Sequence, residues 1–437
     1  MSDTATTSRF DEHALAELPE VAGFTGDLRL RALREFEAMP IPSQETEEWR
    51  YTDLSGFDFD FAPFSPGGGP EAVNRHGVLS AVGAVGERAG LQIQRNSEVI
   101  STQLTDGLAG SGVVFADLDV AAATHPDLVE RSLHSLVPTS RTKFLAMHGA
   151  FRTGGTFVYV PDGIELQLPL QTLTYLDADG AAIFPHTLIV VGANAACTFI
   201  DRYVSPDLDR AFSNAVTEIV VGNGARVRYA SIQDWGAGVT HLAVQRAHVG
   251  RDADIRTLAL GFGADLSRAE AETILAEPGG FSEMLGVFFA DGDQHFDHRT
   301  LQDHVAPNCR SDLLYKGALR DRSRAVYSGW VHVRPDAQKT NAMQTSRNIV
   351  LSEHAKADAI PNLEIEANDV RCGHAASVGP VDDEAIFYLE SRGIPREEAE
   401  RLIVTGFFQE VLDRVTIEEV REGAEAAIAD ELAGGAR

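Results

Sequence analysis

Lysine is nearly missing from this chain. It occurs only at Lys143, Lys316, Lys339 and Lys356, so arginine carries almost all of the positive charge. Acidic residues number 65 against 37 basic ones, a formal net charge of -28. A field of that sign repels nucleic acid and anionic lipid, whose protein partners use basic surfaces to displace counterions. It fits a surface adapted to molar salt, as in a halophilic archaeon, where a Debye length of roughly 3 Å at 1 M screens self-repulsion. An ordinary acidic cytosolic protein is the alternative, but net charge alone does not require losing lysine while keeping arginine. Cysteine is scarce too. Cys197, Cys309 and Cys372 lie far apart with no Cys-x-x-Cys, which excludes a disulfide framework and a self-contained four-cysteine metal site and fits a reducing compartment.

Other absences narrow the chemistry. No run of about 18 apolar residues exists to span a membrane, and the opening MSDTATTSRFDEH has neither the basic nor the apolar stretch of an export signal. A cytoplasmic protein is expected. No Gly-Lys dipeptide occurs, so the chain binds no nucleotide through a P-loop. Without Gly-x-Ser-x-Gly or His-Glu-x-x-His, serine hydrolase and zinc protease readings lack support.

What is present reads as three parts. Apolar residues make up 44% of 437, enough for more than one core. Residues 1–140 are expected to be helical, then mixed: TGDLRLRALREFEAMPIP places Leu28, Leu30, Leu33 and Phe36 at helical spacing before Pro40. The crowded aromatics Trp49, Tyr51, Phe57, Phe59, Phe61 and Phe64 suggest a segment that packs tightly, and Gly67, Gly68 and Gly69 a linker. From 141 to 378 short runs of Val, Ile, Thr and Tyr alternate with Gly, Asp and Asn. VVGANAACTFI, VVGNGARVRYA and HVGRDADIRTL align Gly192, Gly222 and Gly250, then Ala195, Ala225 and Ala253, at steps of 30 and 28 residues, with Ser282 as the next match. Short strands repeated near every 29 residues, with no helix between, predict a stacked β-solenoid, mainly β in class, against the competing β-sandwich. A lone solenoid has two raw ends to cap or pair.

Residues 379–437 read as helices. Asp382, Asp383 and Glu384 suit a first turn and Gly393 a helix end, while Pro395 opens a helix with the stripe Ala399, Leu402, Ile403 and Gly406. Thr416 and Glu419 form a capping-box pattern, with Val415 and Val420 at staple positions, ahead of the stripe Ile417, Val420, Ala424 and Ile428.

Two clusters carry candidate chemistry. In DQHFDHRTLQDHVAPNC, His295 and His298 point to opposite faces of a strand, so His295, His298, His304 and Cys309 read more simply as hydrogen-bonding residues than as a chelate. In RCGHAASVGP, Cys372 and His374 stand at i and i+2 and share a strand face. They are either structural or half of a metal site that another chain completes, and the residues alone leave both open.

The stretch RCGHAASVGPVDDEAIFYLESRGIPREEAERLIVTGFFQEV resembles the C-terminal signature of the SufB/SufD family of iron-sulfur cluster assembly proteins. DQHFDHRTLQDHVAPNCRSDLLYKGALRDRSRAVYSGWVHV and PNLEIEANDVRCGHAASVG resemble the family's core blocks, and EEWRYTDL is similar to its SufD branch rather than SufB. Ala375 departs from both, since SufD more usually carries glycine there and SufB glutamate. The resemblance implies a right-handed parallel β-helix flanked by N-terminal and C-terminal helical domains. It implies a non-catalytic scaffold subunit, pairing with a SufB paralogue and holding the SufC ATPase on residues 379–437. Phe387, Tyr388, Arg392, Phe407 and Phe408 are the candidate contacts for that ATPase. It further implies a transient iron-sulfur cluster shared across the paralogue interface, with His374 at the matching functional position and Cys372 matching the motif's cysteine. Other readings stay in view: a SufB-like, cluster-bearing scaffold; a partner whose Cys-x-His is vestigial; a homodimer in isolation; and a solenoid carbohydrate-active enzyme using Asp291, Asp293, Asp297 and Asp321.

Overall fold

The computed structural model describes residues 9–433 except 22, 75, 83–86 and 109. Two long sheets face each other, and the chain passes between them once per half coil. One sheet runs, neighbour to neighbour, from Gly90–Arg95 through Leu170–Tyr175, Ala196–Val204, Arg226–Asp234, Asp254–Gly261, Phe281–Ala290, Arg310–Leu319 and Asn341–Val350 to Arg371–Pro380. The other ends, at the same pole, on Lys356–Ile365. The result is a parallel β-solenoid of about eight turns over residues 156–380, with helical regions on either side.

The repeat is visible in the register. Ala196 lies opposite Arg226, and the same level is then occupied by Asp254, Phe281, Arg310, Asn341 and Arg371, at steps of 30, 28, 27, 29, 31 and 30 residues. Ala195, Ala225 and Ala253 sit one residue before this level, at most 1% exposed, where the corner leaves room for little more than a methyl group. Ser282 does not continue that column. It pairs with Ile255, and the 27-residue coil puts Gly280 in the corner instead, followed by Cys309 and Thr340. The glycine column is fixed by close backbone approach: a β-carbon on Gly222 would lie 2.7 Å from the carbonyl carbon of Gly192.

Alternation along each strand separates inside from outside. Ala342, Gln344, Ser346 and Asn348 are buried, whereas Asn341, Met343 and Arg347 are exposed. Not all of the interior is apolar. The Asp201 carboxylate is 1% exposed and accepts hydrogen bonds from Thr172, Thr187, Tyr203 and Tyr229; burial pushes its pKa up.

The two ends are treated differently. At the start, Glu98–Leu104 and Val114–Asp117 pair antiparallel with the first strands of the two sheets. The mixed segment after residue 70 thus contributes strands to the solenoid rather than folding apart from it. At the other end, Arg371–Pro380 and Lys356–Ile365 each pair on one side only.

The N-terminal helix spans Phe24–Ala38 and buries Leu28, Ala32, Leu33 and Phe36. Leu30, expected on that stripe, is 48% exposed because Ala32 takes the face that packs on the helix Lys143–Phe151. The aromatic segment packs as its composition suggests. Trp49, Phe59 and Phe61 join Phe10, Phe36, Phe144 and Phe212 in one cluster, with Phe57 packed against it. Its anchor is ionic: Thr52 donates to the buried Asp297 at 2.5 Å, Arg268 reaches the same carboxylate at 2.6 Å, and the Arg268 guanidinium lies 4.1 Å from the Trp49 ring centre.

The C-terminal helices span Asp383–Glu390, Arg396–Leu412 and Glu418–Leu432. Asp382 caps the first through the N–H of Glu384, and Gly393 at φ +86° follows its end. Two expectations fail here. The second helix buries Ala399, Val404, Phe408, Val411 and Leu412, leaving Leu402 44% exposed and Gly406 outside. The third begins after Ile417 with no side-chain cap, so Thr416 and Glu419 form no capping box, although Val420, Ala424 and Ile428 are buried as expected. Both helices pack on the outer face of the first sheet against Leu258, Leu285, Val287, Phe289 and Leu314.

Replacing Arg268 with leucine should leave Asp297 short of its closest cation at 0% exposure and cost about 3 kcal/mol, because breaking a buried pair strands a charge. Urea unfolding measures this. A loss no larger than about 0.5 kcal/mol, the size of an ordinary surface substitution, would remove Asp297 as the anchor.

Candidate functional site

Cys372 and His374 lie on Arg371–Pro380, the terminal strand of the first sheet. Ala342 is paired with Cys372 and Gln344 with His374. Ala342 and Gln344 face inward, so the strand pleat turns Cys372 and His374 toward the solenoid axis. Among the described residues no further coil covers them. His374 is therefore exposed although its position is an inward one, while Cys372 is half-buried against the cluster of Val331, Val333 and Ala342.

A polar column leads up to this mouth. The hydroxyl groups of Thr300 and Tyr327 lie 2.8 Å apart, and Gln344 donates to Tyr327 at 2.8 Å. The Gln344 Oε1, one level below His374, is buried with no hydrogen-bond partner. The site thus offers a thiol, an imidazole and an unmatched carbonyl oxygen at an open end. Two strand residues at i and i+2 are about 6.7 Å apart along the backbone, so they present two donors to a metal but cannot close a coordination shell.

The surroundings suit contact with another surface. Trp330, Met343, Ile365 and Val378 near this pole are 43–45% exposed. Trp330 and Met343 stand at outward strand positions, whereas Ile365 and Val378, paired with the buried Val333 and Asn348, are inward residues of the last coil left uncovered.

The candidate ATPase contacts divide into two groups. Phe387 is 72% and Tyr388 56% exposed, and exposed Arg392 donates to the Tyr388 hydroxyl at 2.9 Å. Phe408, by contrast, is 0% exposed and belongs to the core beneath the second C-terminal helix. It cannot present a surface to a partner. Half-buried Phe407 packs beside Lys316, whose Nζ is 4.5 Å from its ring centre and donates to its carbonyl at 2.6 Å.

The remaining clusters serve the fold. His304 bonds Ser311 at 2.8 Å, the His298 ring packs 4.6 Å from Phe288, and the Cys309 thiol points at the Glu277 carbonyl. Burial holds His298 and His304 at about 4. The carboxylates considered for a carbohydrate enzyme are engaged: Asp291 with Arg320, Asp293 with Arg322, Asp297 with Arg268, and Asp321 with both Arg320 and the N–H of Gly292.

Partial burial raises the Cys372 thiol above its ordinary 9.0, opposed by the N–H of Ala342. Burial drives Cys197 to about 12. In the metal-free chain, alkylation should therefore go to Cys372 first, with a midpoint above pH 9, while Cys197 stays unmodified until unfolding. Mass mapping against pH reads this directly, and rapid labelling of Cys372 at pH 7 would contradict the packing described.

Comparison with known proteins identifies the family. The family described as "SUF system FeS cluster assembly, SufBD core domain" matches residues 174–407, and "SufBD protein N-terminal region" matches residues 84–172. The chain is 33% identical over 403 residues to "Iron-sulfur cluster assembly protein SufD" of Bacillus subtilis, covering 91% of each protein. It is 42% identical over 314 residues to a SufBD family protein of Mycobacterium tuberculosis, covering 68% of this chain and 75% of that one. A SufBD family protein of Staphylococcus epidermidis is 29% identical over 408 residues, 90% of this chain and 86% of its own. An open-ended parallel β-solenoid with Cys372 and His374 at its last strand, matched over most of its length by these proteins, belongs to the SufBD family of the SUF iron-sulfur cluster assembly system.

Proposed function

We propose that this chain is the SufD-type, non-catalytic scaffold subunit of a cytoplasmic assembly complex, in which a SufB-type paralogue docks against the open pole. The observation that carries this reading is the terminal strand Arg371–Pro380, whose outer backbone edge is unpaired and whose Cys372 and His374 face a mouth that no further coil covers. A parallel strand edge is completed by another strand. A partner there would supply the ligands that two donors lack, and a site divided between two chains opens when they separate. The cluster is cargo, assembled at the seam and passed on.

The C-terminal region, residues 379–437, is assigned to the ATPase subunit. Phe387, Tyr388 and Arg392 form an exposed aromatic and cationic patch on and just after the helix Asp383–Glu390, the residue types that dominate binding energy at interfaces. Lys316, Arg414 and Arg320 tie the following helices to the sheet, through Glu410, through Glu283 and Asp312, and through the Glu431 carbonyl. Movement imposed on this patch by nucleotide-driven closure is thereby passed to the solenoid.

His374→Ala should leave the complex assembled but remove most of its iron and acid-labile sulfide after anaerobic reconstitution. An unchanged content of both would end the proposed role of His374 and favour a partner that carries all the chemistry. Replacing Phe387 and Tyr388 together with alanine should weaken ATPase-subunit binding by about 2–4 kcal/mol, roughly 30- to 1000-fold in Kd. Calorimetry on the purified subunits decides it, and native affinity in the double variant would move the docking surface elsewhere.

A further inference from the structure

A second cluster of donors lies away from the open pole, where the N-terminal region meets the first coils. His134 comes from the loop before the helix Lys143–Phe151, His148 from that helix, and His186 from the strand His186–Val191. One ligand nitrogen from each lies within 4.8 Å of the others. His148 and His186 are at most 1% exposed. The four residues involved, with Glu218, are spread over more than 80 positions, so no sequence spacing announces them.

Hydrogen bonding fixes which nitrogens are free. His148 Nδ1 lies 2.8 Å from the Asn214 carbonyl and His134 Nδ1 lies 3.0 Å from the Val137 carbonyl, so both carry protons. Their Nε2 atoms therefore hold lone pairs. That of His134 is buried with no partner. His186 Nε2 is 3.2 Å from Glu218 Oε2, and His186 Nδ1 is 3.0 Å from His148 Nε2. The Glu218 carboxylate, 0% exposed, also accepts the backbone N–H groups of His134, Leu136 and Val137. In the cluster as it stands, His134 Nε2 is a buried lone pair facing nothing, and it points to a ligand.

We propose that His134 Nε2, His148 Nε2 and His186 Nδ1 bind a zinc-type divalent cation, with a water in the fourth position. His134 and His148 then donate their other N–H to a carbonyl, the arrangement that fixes tautomer and orientation at histidine metal sites, and His186 Nε2 faces the Glu218 carboxyl group at 3.2 Å. With metal–nitrogen bonds of about 2.0–2.1 Å, ring centres lie about 3.2 Å from the metal, so rings at tetrahedral angles stand about 5.2 Å apart and rings at right angles about 4.5 Å. The three ring-centre separations are 5.0, 5.2 and 5.8 Å, nearer to the tetrahedral than to the right-angle value, and an all-imidazole donor set suits zinc rather than metals that prefer oxygen ligands. Arg152 is the nearby cation that opposes a second positive charge, and Asp119 engages it at 2.7 Å. The backbone adds support: His134 is held at φ +56°, a conformation that a β-carbon disfavours.

Such an ion would rivet the loop, the helix and the solenoid together, a structural role separate from cluster assembly. The test uses the untagged chain in its native complex, purified without chelators, with zinc measured by inductively coupled plasma mass spectrometry. The expected result is stoichiometric zinc that persists in His374→Ala and falls at least tenfold in His134→Gln. Zinc added to metal-stripped wild type should raise its melting temperature by about 5 °C. If His134→Gln does not fold, cobalt added to stripped wild type replaces it as the readout, with the intense visible absorption of a tetrahedral site expected. No zinc in the native complex with no thermal response, or an equal weak uptake by wild type and His134→Gln, overturns the site. Loss of cluster in His374→Ala with zinc unchanged keeps the two readings separate.

Discussion

Every coil of a parallel solenoid leaves its backbone N–H and C=O groups unpaired until another strand covers them, and this chain meets that demand unequally at its two ends. Antiparallel strands close the beginning of both sheets. The last coil is left open, with an exposed imidazole on an inward position that elsewhere in the stack is packed. The chemistry proposed for the Cys-x-His pair depends on that asymmetry. In the middle of the stack the same two residues would be inert, a buried thiol and a hydrogen-bonded histidine, as Cys309 and His304 are.

Rigidity around the open pole comes from how the flanking regions are fastened. On the N-terminal side a buried carboxylate, Asp297, gathers Thr52 and Arg268 while Trp49 packs under the guanidinium. On the other side, Lys316 is 3% exposed and joins the sheet to the second C-terminal helix through Glu410 and the Phe407 carbonyl. Lysine scarcity gives these contacts a context. Lys143 also works internally, donating to the Phe36 and Met39 carbonyls at the end of the N-terminal helix. Two of four lysines are thus compact point charges at chain junctions, where a planar guanidinium would fit a single carbonyl pair less well.

The solenoid was legible because its corners repeat. Small residues at Ala195, Ala225 and Ala253 are set by the space inside one turn, and three copies fix a period. The next step was misread at Ser282 because a coil two residues shorter shifts the register and a small residue two places on looks equally suitable. Helix faces were less legible. Ala399, Val404, Phe408 and Val411 form the buried stripe because the outer face of the sheet decides which side turns inward, and nothing in GFF says which phenylalanine that is. Of the site, the Cys-x-His pair was local and readable. The His134, His148 and His186 cluster was not, since only the fold brings a loop, a helix and a strand together.

The open pole also bears on how such families diverge. Two identical ends meeting about a two-fold axis would align their terminal strands antiparallel, and main-chain hydrogen bonds are blind to sequence. Self-pairing and pairing with a duplicated gene product are then equal as far as the backbone is concerned. Preference for a different partner must be written in the few side chains from Arg371 to Pro380, half of them small: Gly373, Ala375, Ala376, Ser377 and Gly379. A surface this featureless discriminates weakly by shape, so the choice between sameness and difference falls to the bulkier residues at its margin.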